Sequence, residues 1–141
     1  MRMCFNGGVT AELDYAFLAE YAKTDQGTLT VIGASFTEVR SGSYPSMIDI
    51  AVAGRVRRKA GNPAPAIRIV FETEDGGSPL ISIESSLNDQ GDAVIYDGKV
   101  ASVFAVKGPL PLMEPGLYEC KIYLDGHLAR RLAFEALSSD A

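Results

Sequence analysis

From about residue 13 to residue 134 the chain alternates apolar and polar positions in short runs, most of them closed by glycine, proline, asparagine or aspartate. Period-two alternation describes strands with one buried face, because successive side chains leave a pleated backbone on opposite sides. Residues 47–57 show it plainly. Ile48, Ile50, Val52 and Val56 share one face, and Asp49, Ala51, Ala53, Arg55 and Arg57 share the other. Ile67, Ile69 and Phe71 form the next inward row, and Ile81, Ile83 and Ser85 return after the turn Glu74-Asp75-Gly76-Gly77-Ser78-Pro79. Residues 93–96, the turn Asp97-Gly98, and then Val100, Ser102, Phe104 and Val106 read as a further hairpin. Two prolines make residues 60–65 a loop, and three more predict an irregular stretch over 107–115, since proline cannot donate to a sheet ladder.

Residues 13–23 carry two periodicities. Leu13, Phe17 and Tyr21 recur at helical spacing, while Leu13, Tyr15, Phe17, Ala19 and Tyr21 also alternate as a strand would. Pairing favours the strand. A loop over Thr24-Asp25-Gln26-Gly27 sets Tyr15 opposite Phe36, Phe17 opposite Ala34 and Ala19 opposite Ile32, all on one face. The opposite face then holds Ala16, Leu18, Ala22, Leu29 and Val31, with Gly33 across from Leu18. So much apolar area needs cover, from the rest of the monomer or from a second subunit. Leu18, Ala22, Leu29 and Val31 are therefore the candidate homodimer interface.

The last hairpin is settled by burial. A two-residue turn at Asp125-Gly126 alone would set Leu132 against Glu119 and Phe134 against Leu117. One further loop residue, or a bulge at Gly126-His127, pairs Leu124 with Leu128, Cys120 with Leu132 and Tyr118 with Phe134. A one-residue slip flips every side chain, so the second register is predicted.

Eight or nine such strands without a confident helix predict a two-layer antiparallel β-sandwich, with a closed barrel as the alternative. The expected organisation is a flexible segment over residues 1–12, one domain over 13–137 and a short tail over 138–141. No internal repeat or low-complexity tract is visible.

Asp14-Tyr15-Ala16-Phe17-Leu18-Ala19-Glu20-Tyr21-Ala22, followed by Gly27-Thr28-Leu29-Thr30-Val31-Ile32-Gly33-Ala34, resembles the opening of a family of small uncharacterised bacterial proteins common in actinobacteria. Glu74-Asp75-Gly76 and Pro115-Gly116-Leu117-Tyr118 look similar as well, so the likeness covers most of the chain. Thr28 stands where that family usually has lysine, and Ala34 replaces its second glycine. The resemblance implies an all-β fold with no agreed activity, and it carries over no functional residue.

A chain of 141 residues can enclose one proper core. Its net charge of −5 argues against duplex nucleic acid or an anionic membrane as a partner. No run approaches the roughly 18–20 apolar residues of a membrane helix, and the N-terminal residues show no secretory signal. Cys4 and Cys120 are too few for a disulfide scaffold, so Cys120 reads as a buried hydrophobe and the expected location is cytoplasmic. A bridge between Cys4 and Cys120 is the lesser reading.

Candidate chemistry is sparse. His127, the single histidine, sits beside a hairpin tip and reads as a solvated turn residue. A catalytic triad or a four-ligand Cys/His zinc site has too few members, and a carboxylate hydrolase is the remaining enzymatic alternative. Asp89, Asp92 and Asp97 lie near Asn88 and Gly91 but lack the spacing of an EF-hand loop, so neither a metal nor a cofactor is expected. The basic run Arg55, Arg57, Arg58 and Lys59 lacks interleaved aromatics and reads as a charged strand end that opposes edge-to-edge aggregation. The sequence thus points to a non-enzymatic sandwich acting through protein contacts as a homodimer. A small-molecule or carbohydrate-binding sandwich is the rival, with its site in loops near Tyr44, Asn62 or Asp92.

Overall fold

The computed structural model describes residues 11–76, 79–87 and 93–139. Eleven strands follow one another: β1 (Ala11–Ala19), β2 (Tyr21–Asp25), β3 (Thr28–Ile32), β4 (Glu38–Ser41), β5 (Ser46–Lys59), β6 (Ala66–Thr73), β7 (Ile81–Ser86), β8 (Ala93–Tyr96), β9 (Lys99–Leu112), β10 (Gly116–Leu124) and β11 (His127–Ser138). One sheet has the order β1-β5-β9-β8 and a second β4-β11-β10-β6-β7, while β2 and β3 pair only with each other. The fold is the expected sandwich-like one. Among the described residues no helix is long and apolar enough to cross a membrane.

The core lies between the two large sheets. Ile50, Val52 and Val56 of β5, Ile67, Ile69 and Phe71 of β6, and Phe104, Leu110 and Leu112 of β9 meet Tyr118, Cys120, Ile122 and Phe134 there. Apart from Leu110 and Leu112, which fall in the stretch expected to be irregular, these belong to the inward rows expected from alternation. Each fully buried large side chain contributes about 1.5–3 kcal/mol over its exposed state.

The first hairpin differs from expectation. The 11–25 stretch is extended rather than helical, but it breaks at Glu20 into two strands with different partners. β1 pairs with β5, and β2 pairs with β3 in the register Tyr21↔Ile32 and Asp25↔Thr28. The Tyr15–Phe36 and Phe17–Ala34 pairings therefore do not form. The turn holds only Gln26 and Gly27, at φ of 50° and 87°, and such two-residue turns match the natural twist of a hairpin better than a longer loop. Gly33 takes φ of 67° just beyond β3 and abuts the Glu20 side chain rather than Leu18.

A bulge explains the rest. Leu13 sits opposite Val56 and Tyr15 opposite Arg55, leaving Asp14 as the extra residue. From there the alternation reverses: Leu13, Ala16 and Leu18 face the main core, while Phe17 and Ala19 face the other side of the sheet. Gly54 makes room for this, because a Cβ there would fall onto the Tyr15 carbonyl oxygen and within 3.0 Å of Phe104.

Three further strand features depart from the alternation. β4 pairs with β11 in parallel, a contact between distant segments that local pattern does not report, and the sandwich is not wholly antiparallel. β9 continues through Pro109 and Pro111 to Leu112, opposite Asp49 and Met47 of β5, so the stretch from 107 is strand rather than irregular. The two prolines share one phase of the pleat, and their missing N–H groups fall on the edge that β8 leaves uncovered beyond Ser102. At the C-terminus, Cys120↔Leu132 and Tyr118↔Phe134 form as expected. The extra residue sits further along than expected. The turn is the two-residue Asp125-Gly126, with Leu124 opposite His127, and Ala129 is bulged out between Leu128 and Arg130.

Candidate functional site

The β2–β3 hairpin lies across the outer face of the β1-β5-β9-β8 sheet. Ala19, Ala22, Ala51 and Ala53 are buried beneath it, with Phe17, Leu29, Val31 and Ala105 packed around them. Small side chains on both layers let the two backbones approach closely. The Ser35 N–H donates to the Leu18 carbonyl at 2.6 Å and the Glu20 N–H to the Ile32 carbonyl at 3.0 Å, fastening the hairpin base. Its tip reaches β8: a Cβ on Gly27 would lie 2.5 Å from Val94 Cγ1.

The candidate interface residues are thus distributed differently than the sequence implied. Leu18 is 3% exposed in the main core and Ala22 is 1% exposed in the second cluster, so neither offers a surface to a partner. Leu29 and Val31 are half-buried over Ala51 and Ala53. The cover for this face comes from the chain itself, because the break at Glu20 folds the hairpin back over the sheet.

Beside the hairpin lies a cluster of arginines and aromatics. The Asp14 bulge brings Asp14 and Tyr15 together against Arg55. Arg55 Nε donates to Asp14 Oδ2 at 2.8 Å, and its guanidinium lies 5.3 Å from the Tyr15 ring centroid and 5.6 Å from that of Tyr96. Arg57 donates to Glu12 at 2.8 Å and, more weakly, to the Tyr96 hydroxyl at 3.4 Å. The hydrogen bond that Arg55 donates to Asp14 holds it above its ordinary pKa. The two arginines are matched by two carboxylates. β5 is a central strand, so these cations guard no sheet edge, contrary to the sequence reading.

One edge strand, β8, exposes its apolar residues. Val94 is 41%, Ile95 76% and Tyr96 40% exposed, and among the described residues no strand pairs with the far side of β8. Neither Val94 nor Ile95 stood out in the sequence, since four apolar-leaning residues beside a turn read as any short strand. Their exposure depends on β8 being last in its sheet.

Of the proposed ligand loops, Tyr44 is tied inward: its hydroxyl donates to the Leu137 carbonyl at 2.7 Å and its ring packs on the core. The Asn62 carbonyl accepts from Arg58 Nε at 2.9 Å. Asp92, with Asp89, Asn88 and Gly91, lies outside the described residues, as does Cys4. Cys120 is buried and free, and burial pushes its thiol up to about 12. His127 is exposed at the start of β11. A cleft of about 330 Å3 opens between the β6–β7 and β9–β10 turns, lined by Glu74, Asp75, Leu80, Met113, Glu114 and Leu117 among others. Among the described residues no group of three or more His, Cys, Asp or Glu side chains could hold a metal ion.

The architecture defines a small all-β sandwich-like domain with a hairpin strapped over one outer face and an apolar strand at one edge. The chain belongs to the DUF6941 family, a family of unknown function whose model matches residues 14–136. No curated protein matches it.

Proposed function

We propose that this protein is a non-enzymatic β-sandwich that acts through protein–protein contacts and self-associates as a homodimer, with β8 at the interface. The observation that carries this reading is the open edge of β8, where Val94, Ile95 and Tyr96 stand exposed beside unpaired backbone. Soluble domains usually blunt such an edge with charge, proline or cover, as β9 is blunted by Pro109 and Pro111. β8 itself carries neither charge nor proline.

Other features support a role without catalysis. The Cys120 thiol is buried and held protonated, and His127 stands on a hairpin tip. Glu119 is bound by Arg131 at 2.6 Å and Glu72 by Lys121 at 2.7 Å, which leaves these carboxylates tied to cations rather than poised for proton transfer. Neutralisation of Arg55 and Arg57 by Asp14 and Glu12 weighs against nucleic acid as the partner. A free buried cysteine suits a cytoplasmic setting.

Sedimentation velocity over a wide concentration range tests the reading. The expected result is a shift from monomer to dimer as concentration rises. A single monomeric species at every concentration would remove the homodimer.

A second reading draws on the cleft beside Glu74 and Glu114, where three carboxylates surround Leu80, Met113 and Leu117. That combination suits a ligand with a cationic head and an apolar stem rather than a neutral sugar. A thermal-shift series with alkylamines and with neutral monosaccharides discriminates: amines alone should raise the melting temperature, and no shift with either dismisses the cleft.

A further inference from the structure

We infer that two copies of the chain join by antiparallel pairing of β8 with β8 of the partner, centred on Ile95, so that β1-β5-β9-β8 becomes one sheet of twice four strands. The inference rests on the homodimer reading above and specifies its register.

Backbone phase selects the centre. Asp97 and Gly98 take φ of 52° and 71°, the geometry of a two-residue hairpin turn, and Tyr96 is paired with Lys99 across it. In such a hairpin the residues flanking the turn exchange both hydrogen bonds, so Tyr96 and Val94 direct their N–H and C=O groups toward β9. Ile95 and Ala93, in the alternate phase, direct theirs to the open edge. A second strand can bond only to those outward groups. Every register that pairs an odd position with an even one is therefore out of phase and forms no ladder.

Side chains select among the registers that remain. Centred on Ile95, the dyad sets Ile95 against the partner's Ile95, with Val94 and Tyr96 against the partner's Tyr96 and Val94. This register pairs the three exposed apolar residues of the strand with one another. It also places Asp97, 79% exposed and 3.6 Å from Lys99, opposite the partner's Ala93 rather than a like charge. A centre on Val94 would leave Ile95 against Ala93 and lose the aromatic pairing. Four residues per strand bury less than the roughly 1,600 Å2 of a stable interface, so the dimer is weak and depends on concentration.

Two variants test the register. Among the described residues nothing accepts the Ile95 N–H, so Ile95→Pro removes the donor offered to the partner together with the side chain at the dyad, and leaves the β8–β9 ladder intact. Sedimentation should show loss of the dimer by at least tenfold in concentration, with a wild-type circular dichroism spectrum. Should that variant unfold, Ile95→Lys, which needs no backbone change, serves in its place. In the second test, Ile95→Cys in a Cys4→Ser background is oxidised beside a Leu128→Cys control in the same background. Rapid dimeric crosslinking at position 95 and not at 128 supports the dyad. A dimer that survives Ile95→Pro or Ile95→Lys and does not crosslink at position 95 overturns this register while leaving the homodimer in place. Wild-type protein that stays monomeric removes both.

Discussion

Tyr118 and Phe134 stack across the β10–β11 pair with ring centroids 5.5 Å apart and planes 13° from parallel. Phe36 meets Phe134 edge-on at 5.6 Å, and the Tyr118 hydroxyl donates to the Glu114 carbonyl at 2.7 Å. This stack depends on the Ala129 bulge, which lets a two-residue turn coexist with an inward Phe134. Phe134→Ala should cost about 3–5 kcal/mol by the cavity it opens. Tyr118→Phe, which keeps the ring and loses the hydroxyl's bond to the Glu114 carbonyl and the longer one from the Glu114 N–H, should cost about 1 kcal/mol. Urea denaturation of both variants measures the difference, and equal costs would contradict a stacked core pair.

Gly54 sits where β1 bulges toward β5. Its missing Cβ is occupied by the Tyr15 carbonyl oxygen, backbone that cannot move without unpairing β1. Gly54→Ala should therefore destabilise by about 1–3 kcal/mol, the usual cost of overpacking a well-filled core. Gly61→Ala offers a contrast, because nothing lies near its Cβ position, although its φ of 99° adds strain of its own. Crowding of Tyr15 is distinguished by tryptic cleavage after Arg55, which should accelerate only in the Gly54 variant as β1 loosens.

Asp14 and Arg55 are 18% and 30% exposed, with Asp14 also 3.4 Å from Arg57. Asp14→Ala takes the carboxylate from Arg55 and leaves Arg57 with Glu12 alone, and should cost about 1–2 kcal/mol. Glu38→Gln removes a half-exposed pair with Arg40 and should stay within about 0.5 kcal/mol. Chemical denaturation orders the two, and a larger effect at Glu38 would refute a structural role for the bulge.

Burial disfavours the thiolate of Cys120. The unfolded chain ionises near the ordinary 9.0, whereas the folded chain keeps its proton to about 12. Stability from this group is full below about pH 9 and is lost as pH rises toward 12. The thiol should resist iodoacetamide at pH 8 in native protein and react once urea unfolds it. Native labelling of Cys120, located by mass spectrometry in the Cys4→Ser background, would contradict this.

Much of this architecture is legible in the residues, because a buried face imposes period two on any strand that stays regular. The inner rows of β5, β6 and the first half of β9 follow directly, and burial alone dictates that Cys120 meets Leu132. What escapes the alternation is non-local. Asp14 is polar at a position where either face is acceptable, and only its pairing with Arg55, far along the chain, marks it as a bulge. That single extra residue exchanged the faces of Ala16 and Leu18 with those of Phe17 and Ala19, and the supposed Leu18 interface became core. Pro109 and Pro111 read as breakers because their edge position is invisible without knowing where β8 ends. The exposure of Ile95 is hidden for the same reason.

Amide hydrogen exchange at β8, followed by NMR as protein concentration is raised, reports most directly on whether that strand is shared. Val94 and Tyr96 should be protected throughout by β9, while Ala93 and Ile95 should exchange rapidly when dilute and slow markedly when concentrated. Rates at Ala93 and Ile95 that do not change with concentration would contradict a strand shared between two copies.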